Sequence, residues 1–155
     1  MANLSLLQRA RVALLSLWAG SAVLVAIRAS LINASISDRA GFGQAVAPLF
    51  RAEAIIGLVC GMALLVLVWM DKKLDAATRN VMTGVLLVML AWVLFYFGSQ
   101  PLMQELRASG QGGVMIADSR RLFGILHGVS LLLYAQMTIL AFFLIHKETR
   151  KVEAQ

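Results

Sequence analysis

Apolar residues run almost unbroken through four stretches of the chain, roughly 12–32, 52–70, 81–103 and 122–145, and polar residues collect between them. Each run is close to the ~20 residues that carry a helix across a ~30 Å hydrocarbon core at ~1.5 Å per residue. Inside lipid only helices or closed barrels satisfy every backbone group, and these runs lack the apolar–polar alternation of a barrel strand. The pattern predicts an all-α fold, an integral membrane four-helix bundle forming a single transmembrane domain over residues 1–155. The polar connections are "ASISDRAGFGQAVAPLF", "DKKLDAATRN" and "QELRASGQGGVMIADSRR". None is long enough to build a second domain.

Composition agrees. The chain is 60% hydrophobic and 14% charged, where a soluble domain has about 25% charged residues, so the apolar excess must face lipid. The net charge of +6 is spread over both ends of the predicted bundle without interleaved aromatic residues, which argues against nucleic acid and for membrane lipids as the partner of the basic groups. With both ends on one side, that side holds Arg9, Arg11, Lys72, Lys73, Arg79, Lys147, Arg150 and Lys151, including all four lysines. The other side holds Arg39, Arg51, Arg107, Arg120 and Arg121, with Arg28 inside the first run. The positive-inside rule therefore expects the amino and carboxyl ends to be cytoplasmic. Arg9 and Arg11 before an apolar run also suit a secretory signal, but an apolar core of ~16 residues is at the upper limit for one, and Arg28 breaks the cleavage region.

In lipid, contact faces between helices are marked by small residues and by polar groups that lipid would penalise. Gly57 and Gly61 in the second run, Gly124 and Gly128 in the fourth, and Ser16 with Gly20 in the first have that spacing. At about 100° per residue, His127, Ser130, Tyr134 and Thr138 share one stripe of the fourth helix, so His127 is expected to face protein. Glu53 shares a face with Gly57, Cys60 and Gly61. Arg28, Arg51, Tyr96 and Gln100 fall near the same membrane boundary, so every helix contributes to a polar cluster in the non-cytoplasmic third, where His127 is expected to bond Glu53, Gln100 or Tyr96. Two roles stay open for this cluster: a structural network of interfacial ion pairs, or a ligand or ion site.

Cofactor and metal signatures are absent. The two histidines, His127 and His146, are 19 residues apart, about 28 Å along a helix, so one chain cannot sandwich a haem between them. A haem shared across a symmetric dimer stays open. Cys60 is a lone thiol at mid-span, expected to be a packing residue. No nucleophile elbow, HExxH or phosphate-binding loop is present, "GQGG" at 110–113 reads as a flexible connection, and "NAS" at Asn33 matches a glycosylation acceptor by residue type only.

"LWAGSAVLVA", "DRAGFGQAVAPLFRAEAIIGLVCG", "QPLMQELR" and "LFGILHGVS", in that order, resemble the bacterial relatives of the transmembrane protein 205-like family. Phe50, Arg51, Pro101, His127 and Gly128 sit where that pattern has them, whereas "RASLI" from Arg28 replaces the "AP-x-LF" ending of its first helix. The resemblance implies a small multi-pass helical membrane protein and carries no activity with it. The sequence thus reads as a non-enzymatic inner-membrane component that meets a membrane-protein partner or its own copies. The rival is a small oligomeric transporter or channel-like protein for a proton, an anion or a metal ion. Reporter fusions test the topology: a reporter at Gly110 should be exported and one at the carboxyl end should stay cytoplasmic, and the reverse pattern would overturn it.

Overall fold

A computed structural model describes residues 5–36, 39–108 and 117–153. They form four helices: α1 (Leu6–Ser35), α2 (Arg39–Met70), α3 (Ala76–Ala108) and α4 (Ala117–Glu153). All four are long and apolar enough to cross a membrane. Each helix packs on its neighbours in sequence, α4 closes the ring against α1, and the diagonal pairs stay apart at the backbone. The protein is thus a four-helix membrane bundle with α1 and α4 ending side by side. The "GQGG" stretch lies outside the described residues.

The helices overrun the predicted spans. The largest difference is at the first connection, where residues 39–50, expected as loop, are the opening three turns of α2. In lipid a helix is the cheapest way to bond the backbone, and Gly43 and Val46 have a buried face to cover. Pro48 and Pro101 both lie inside helices. Each removes one intrahelical N–H and crowds the carbonyl four residues earlier.

Capping is local. The Ser5 side chain accepts a bond from the Gln8 amide at 3.2 Å and starts α1. Asp75 does the same for α3 through the Thr78 amide at 2.8 Å. Along the helices, Ser30, Ser130, Thr138 and Thr149 return their hydroxyl protons to carbonyls four residues back, so these hydroxyls can lie in an apolar setting at little cost.

At the end where the termini meet, Arg11 is only 2% exposed. Its Nε and Nη2 donate to the two Glu148 oxygens at 2.9 and 3.2 Å, and its Nη1 donates to Asp71 Oδ2 at 2.7 Å. The Gln8 side chain adds a bond to the Glu148 carbonyl at 2.8 Å. One guanidinium thereby joins α1, the α2–α3 turn and α4. Asp71 also accepts from the Lys73 amide at 3.1 Å, which shapes that turn. Burial alone would raise the Asp71 carboxyl, but bonds from Arg11 and the Lys73 amide, with the charges of Arg11 and Lys73, bring it below its ordinary value.

In the middle of the bundle Trp18, fully buried, lies flat on α2. A Cβ at Gly57 would come within 2.8 Å of its Nε1, and one at Gly61 within 2.5 Å of the Leu90 side chain and 3.3 Å of the Trp18 ring. These two glycines are where α1 and α3 approach α2. Gly20, Gly124 and Gly128 differ from the sequence expectation: a Cβ at any of them meets nothing within 4 Å. Spacing alone does not make a contact face, because a large residue opposite is also required.

Four variants of the detergent-solubilised protein have definite expected outcomes. Arg11→Met should lower stability by about 3–5 kcal/mol, because it leaves two buried carboxylates without their cation. The Asp71 contribution should be present above the ordinary carboxylate range and lost as pH falls through its depressed folded value, so thermal melting of Asp71→Asn should show a flatter acid limb than wild type. Likewise Gly57→Ala should cost about 1–3 kcal/mol by overpacking against a rigid indole, whereas Gly124→Ala should stay within about 0.5 kcal/mol.

Candidate functional site

At the end of the bundle opposite Arg11, the opening turns of α2, the closing turns of α3 and the first half of α4 leave a partly open cavity of ≈ 90 Å³. A single water needs about 10–15 Å³ on the same measure, so several fit. Val46 and Phe50 come from α2, Trp92, Tyr96, Gln100 and Met103 from α3, and His127, Ser130, Leu131 and Tyr134 from α4. The walls are mainly apolar and aromatic, with amide, imidazole and hydroxyl groups set among them. Pro48 and Pro101 each follow a lining residue, Ala47 and Gln100.

Tyr134 is the hub of the inner wall. Its ring meets Phe50 edge-on at 5.6 Å and Trp92 at 5.2 Å, and its hydroxyl donates to the Ala22 carbonyl of α1 at 2.6 Å. Trp92 stacks in turn on Tyr96 at 5.8 Å. Three helices share one aromatic cluster, and the fourth is tied to it through a tyrosine hydroxyl, which in lipid replaces a costly unpaired polar group with an interhelical bond.

The polar residues expected in one cluster are sorted differently by the structure. Tyr96, Gln100, His127, Ser130 and Tyr134 line the cavity together. Arg28 and Arg51 are exposed at the bundle's outside. Arg51, more than three turns into α2, is nonetheless close enough to Tyr96 for its charge to act on that hydroxyl. His127 lies on the expected face but is itself exposed, stacked on Phe123 at 6.1 Å, and makes no hydrogen bond among the described residues. The expected bond to Glu53, Gln100 or Tyr96 is not formed, and the imidazole borders the cavity instead. Ser130 directs its proton to the Leu126 carbonyl at 2.8 Å and can only accept from a cavity occupant.

Glu53 is fully buried, and neither carboxylate oxygen has a hydrogen-bond partner among the described residues. It is behind the cavity rather than in its lining, with Phe50 one turn before it on α2 and Tyr134 close enough to feel its charge. The Ser21 hydroxyl is also within its reach, but the Ser21 proton goes to the Trp18 carbonyl at 2.9 Å. Trp18 Nε1, over Gly57 one turn along α2, is buried and unbonded as well.

Sequence reasoning missed the Arg11–Asp71–Glu148 clamp and Trp18. The signals were a charged residue already inside the first helix, two acids placed at helix ends, and an indole opposite a pair of glycines four apart. No group of three metal-ligating side chains exists among the described residues, and Cys60 is buried and unpaired.

Comparison with curated proteins and with solved structures returned no match. Residues 13–112, covering most of α1 and all of α2 and α3, match the family described as Domain of unknown function (DUF4149), and the chain belongs to that family.

Proposed function

We propose that the protein is a non-enzymatic component of the bacterial inner membrane, with both ends cytoplasmic, that binds a transmembrane segment of a partner protein at the cavity and along the first half of α4. The observation behind this reading is an asymmetry in how the glycine pairs are used. Gly57 and Gly61 on α2 are filled by Trp18 and Leu90, whereas Gly124 and Gly128 on α4 meet nothing, and His127 and Leu131 beside them are exposed. A face with small residues, an unbonded imidazole and a part-open aromatic cavity suits a helix that is not part of this chain. The kinship with transmembrane protein 205-like proteins belongs here as well and rests on the motifs quoted above.

A second reading, a small oligomeric transporter or channel-like protein for a proton, an anion or a metal ion, draws on Glu53. The side-chain hydroxyls weigh against it: Ser130 and Thr138 are satisfied by their own helix and do not form a polar path inward from the cavity.

A photo-crosslinking residue placed at Leu131, on the cavity, should give one discrete adduct in native membranes, and the same residue at Leu17, exposed on α1, should give none. An adduct of twice the chain mass would identify the partner as a second copy. Equal diffuse products at both positions would overturn the docking reading. Cys60, 2% exposed, should resist a membrane-impermeant maleimide, and rapid labelling would instead favour the transporter.

A further inference from the structure

We propose that Glu53 is a proton-binding site: a neutral carboxylic acid sealed inside the bundle, behind the cavity bordered by Phe50 and Tyr134. The site does not depend on a partner occupying α4.

Glu53 has no exposed surface and no bond to either oxygen. A carboxylate in that position would need a cation, and among the described residues no basic side chain bonds it. Arg51 is two residues away on the same helix, about 200° around it, and is exposed. Arg28 and His127 are exposed too. The Arg11 ion pairs with Asp71 and Glu148 lie at the opposite end. A bound metal ion is no better supported, because among the described residues Glu53 belongs to no group of three or more acidic, thiol or imidazole ligands. An unpaired ionised carboxylate in such a place releases its charge by taking a proton.

The groups around Glu53 suit the neutral acid. A carboxylic acid has one O–H to donate and one C=O to accept. Ser21 Oγ, whose proton is committed to the Trp18 carbonyl at 2.9 Å, keeps free lone pairs toward Glu53. Trp18 Nε1 is a buried donor without an acceptor, one turn away along α2. The two deficits are complementary: an acid hydroxyl needs an acceptor and an indole N–H needs a carbonyl.

The other titratable groups facing Glu53 are Cys60 on its own helix and Tyr134 from α4. α1 presents Trp18 and Ser21, which do not titrate. α3 presents the aromatic cluster of Trp92 and Tyr96. None of these is a cation. Tyr134, which lines the cavity and is close enough to Glu53 to feel its charge, has its hydroxyl held on the Ala22 carbonyl at 2.6 Å and its ring packed on Phe50.

Infrared spectroscopy of the full chain in lipid nanodiscs tests this. At neutral pH the wild type should show a carboxylic-acid C=O band that shifts in D₂O and is missing from Glu53→Gln. Carboxyl-¹³C labelling of glutamate should move the same band in wild type, which secures the assignment even if the variant folds poorly. A neutral-pH spectrum without that band, or a band that labelled glutamate leaves in place, overturns the proposal. Thermal melting gives an independent arm. A proton held in the folded state and lost in the unfolded one makes stability fall as pH rises above the ordinary carboxylate range. The wild-type melting temperature should therefore decline through neutral pH while that of Glu53→Gln stays flat over the same interval. Parallel profiles would overturn it.

Discussion

A guanidinium that cannot be left unbonded in a near-dry setting organises this bundle. Arg11 enters the structure within two turns of the start of α1, and with 2% exposure it has no recourse to water. Its two-pronged contact with Glu148 fixes α4 beside α1, and its third bond to Asp71 fixes the end of α2. Helix ends otherwise fray, and in lipid there is little hydrophobic drive to bring helices together. A planar fork with directional donors sets both the relative depth of three elements and their rotation. The contact is also off balance by one negative charge, since two carboxylates meet one arginine, and the nearby Lys73 partly compensates at Asp71.

From that clamp the packing loosens toward the other end. Directional ion pairs give way to an indole laid on two glycines, then to a cluster of aromatic rings, and finally to a cavity bordered by two prolines. Each stage constrains less than the one before. Ion pairs fix distance and angle, Trp18 fixes distance alone, and rings at 5 to 6 Å tolerate sliding. A membrane protein that recognises another helix gains from this arrangement, because the rigid end preserves the fold while the loose end adjusts to what it meets.

The sequence made the helical, four-span character legible, because ~20 apolar residues in a row leave few other options in lipid. It also placed Tyr96, Gln100, His127, Ser130 and Tyr134 at one level, since depth follows from counting residues along helices whose ends are known. Two kinds of information were not legible. Rotation of one helix against another depends on which large residue meets which small one, so Trp18 on Gly57 could not be separated from the idle pair Gly124 and Gly128. Long-range pairing was hidden as well: Arg11 and Glu148 are 137 residues apart, and each reads alone as an ordinary interfacial charge. The first connection was misread for a different reason. Glycine, alanine and proline signal a break in water, where an unbonded backbone costs little, but lipid raises that cost and extends α2 through them.

Glu53 gains its significance from the treatment of every other polar group at membrane depth. Ser30, Ser130 and Thr138 spend their protons on carbonyls of their own helices, and the Tyr134 hydroxyl finds Ala22 across the bundle. These are inexpensive solutions open to neutral donors. A carboxylate is an acceptor only, and the surrounding donors have been committed elsewhere, apart from one indole N–H. A bundle shaped only for stability would carry an apolar side chain at this position, since an unbonded acid contributes less there than a leucine of similar size. The acid stands one turn from a cavity wall, behind a tyrosine of α4 that contacts the other three helices, so a change in its charge would be felt by residues that line the cavity.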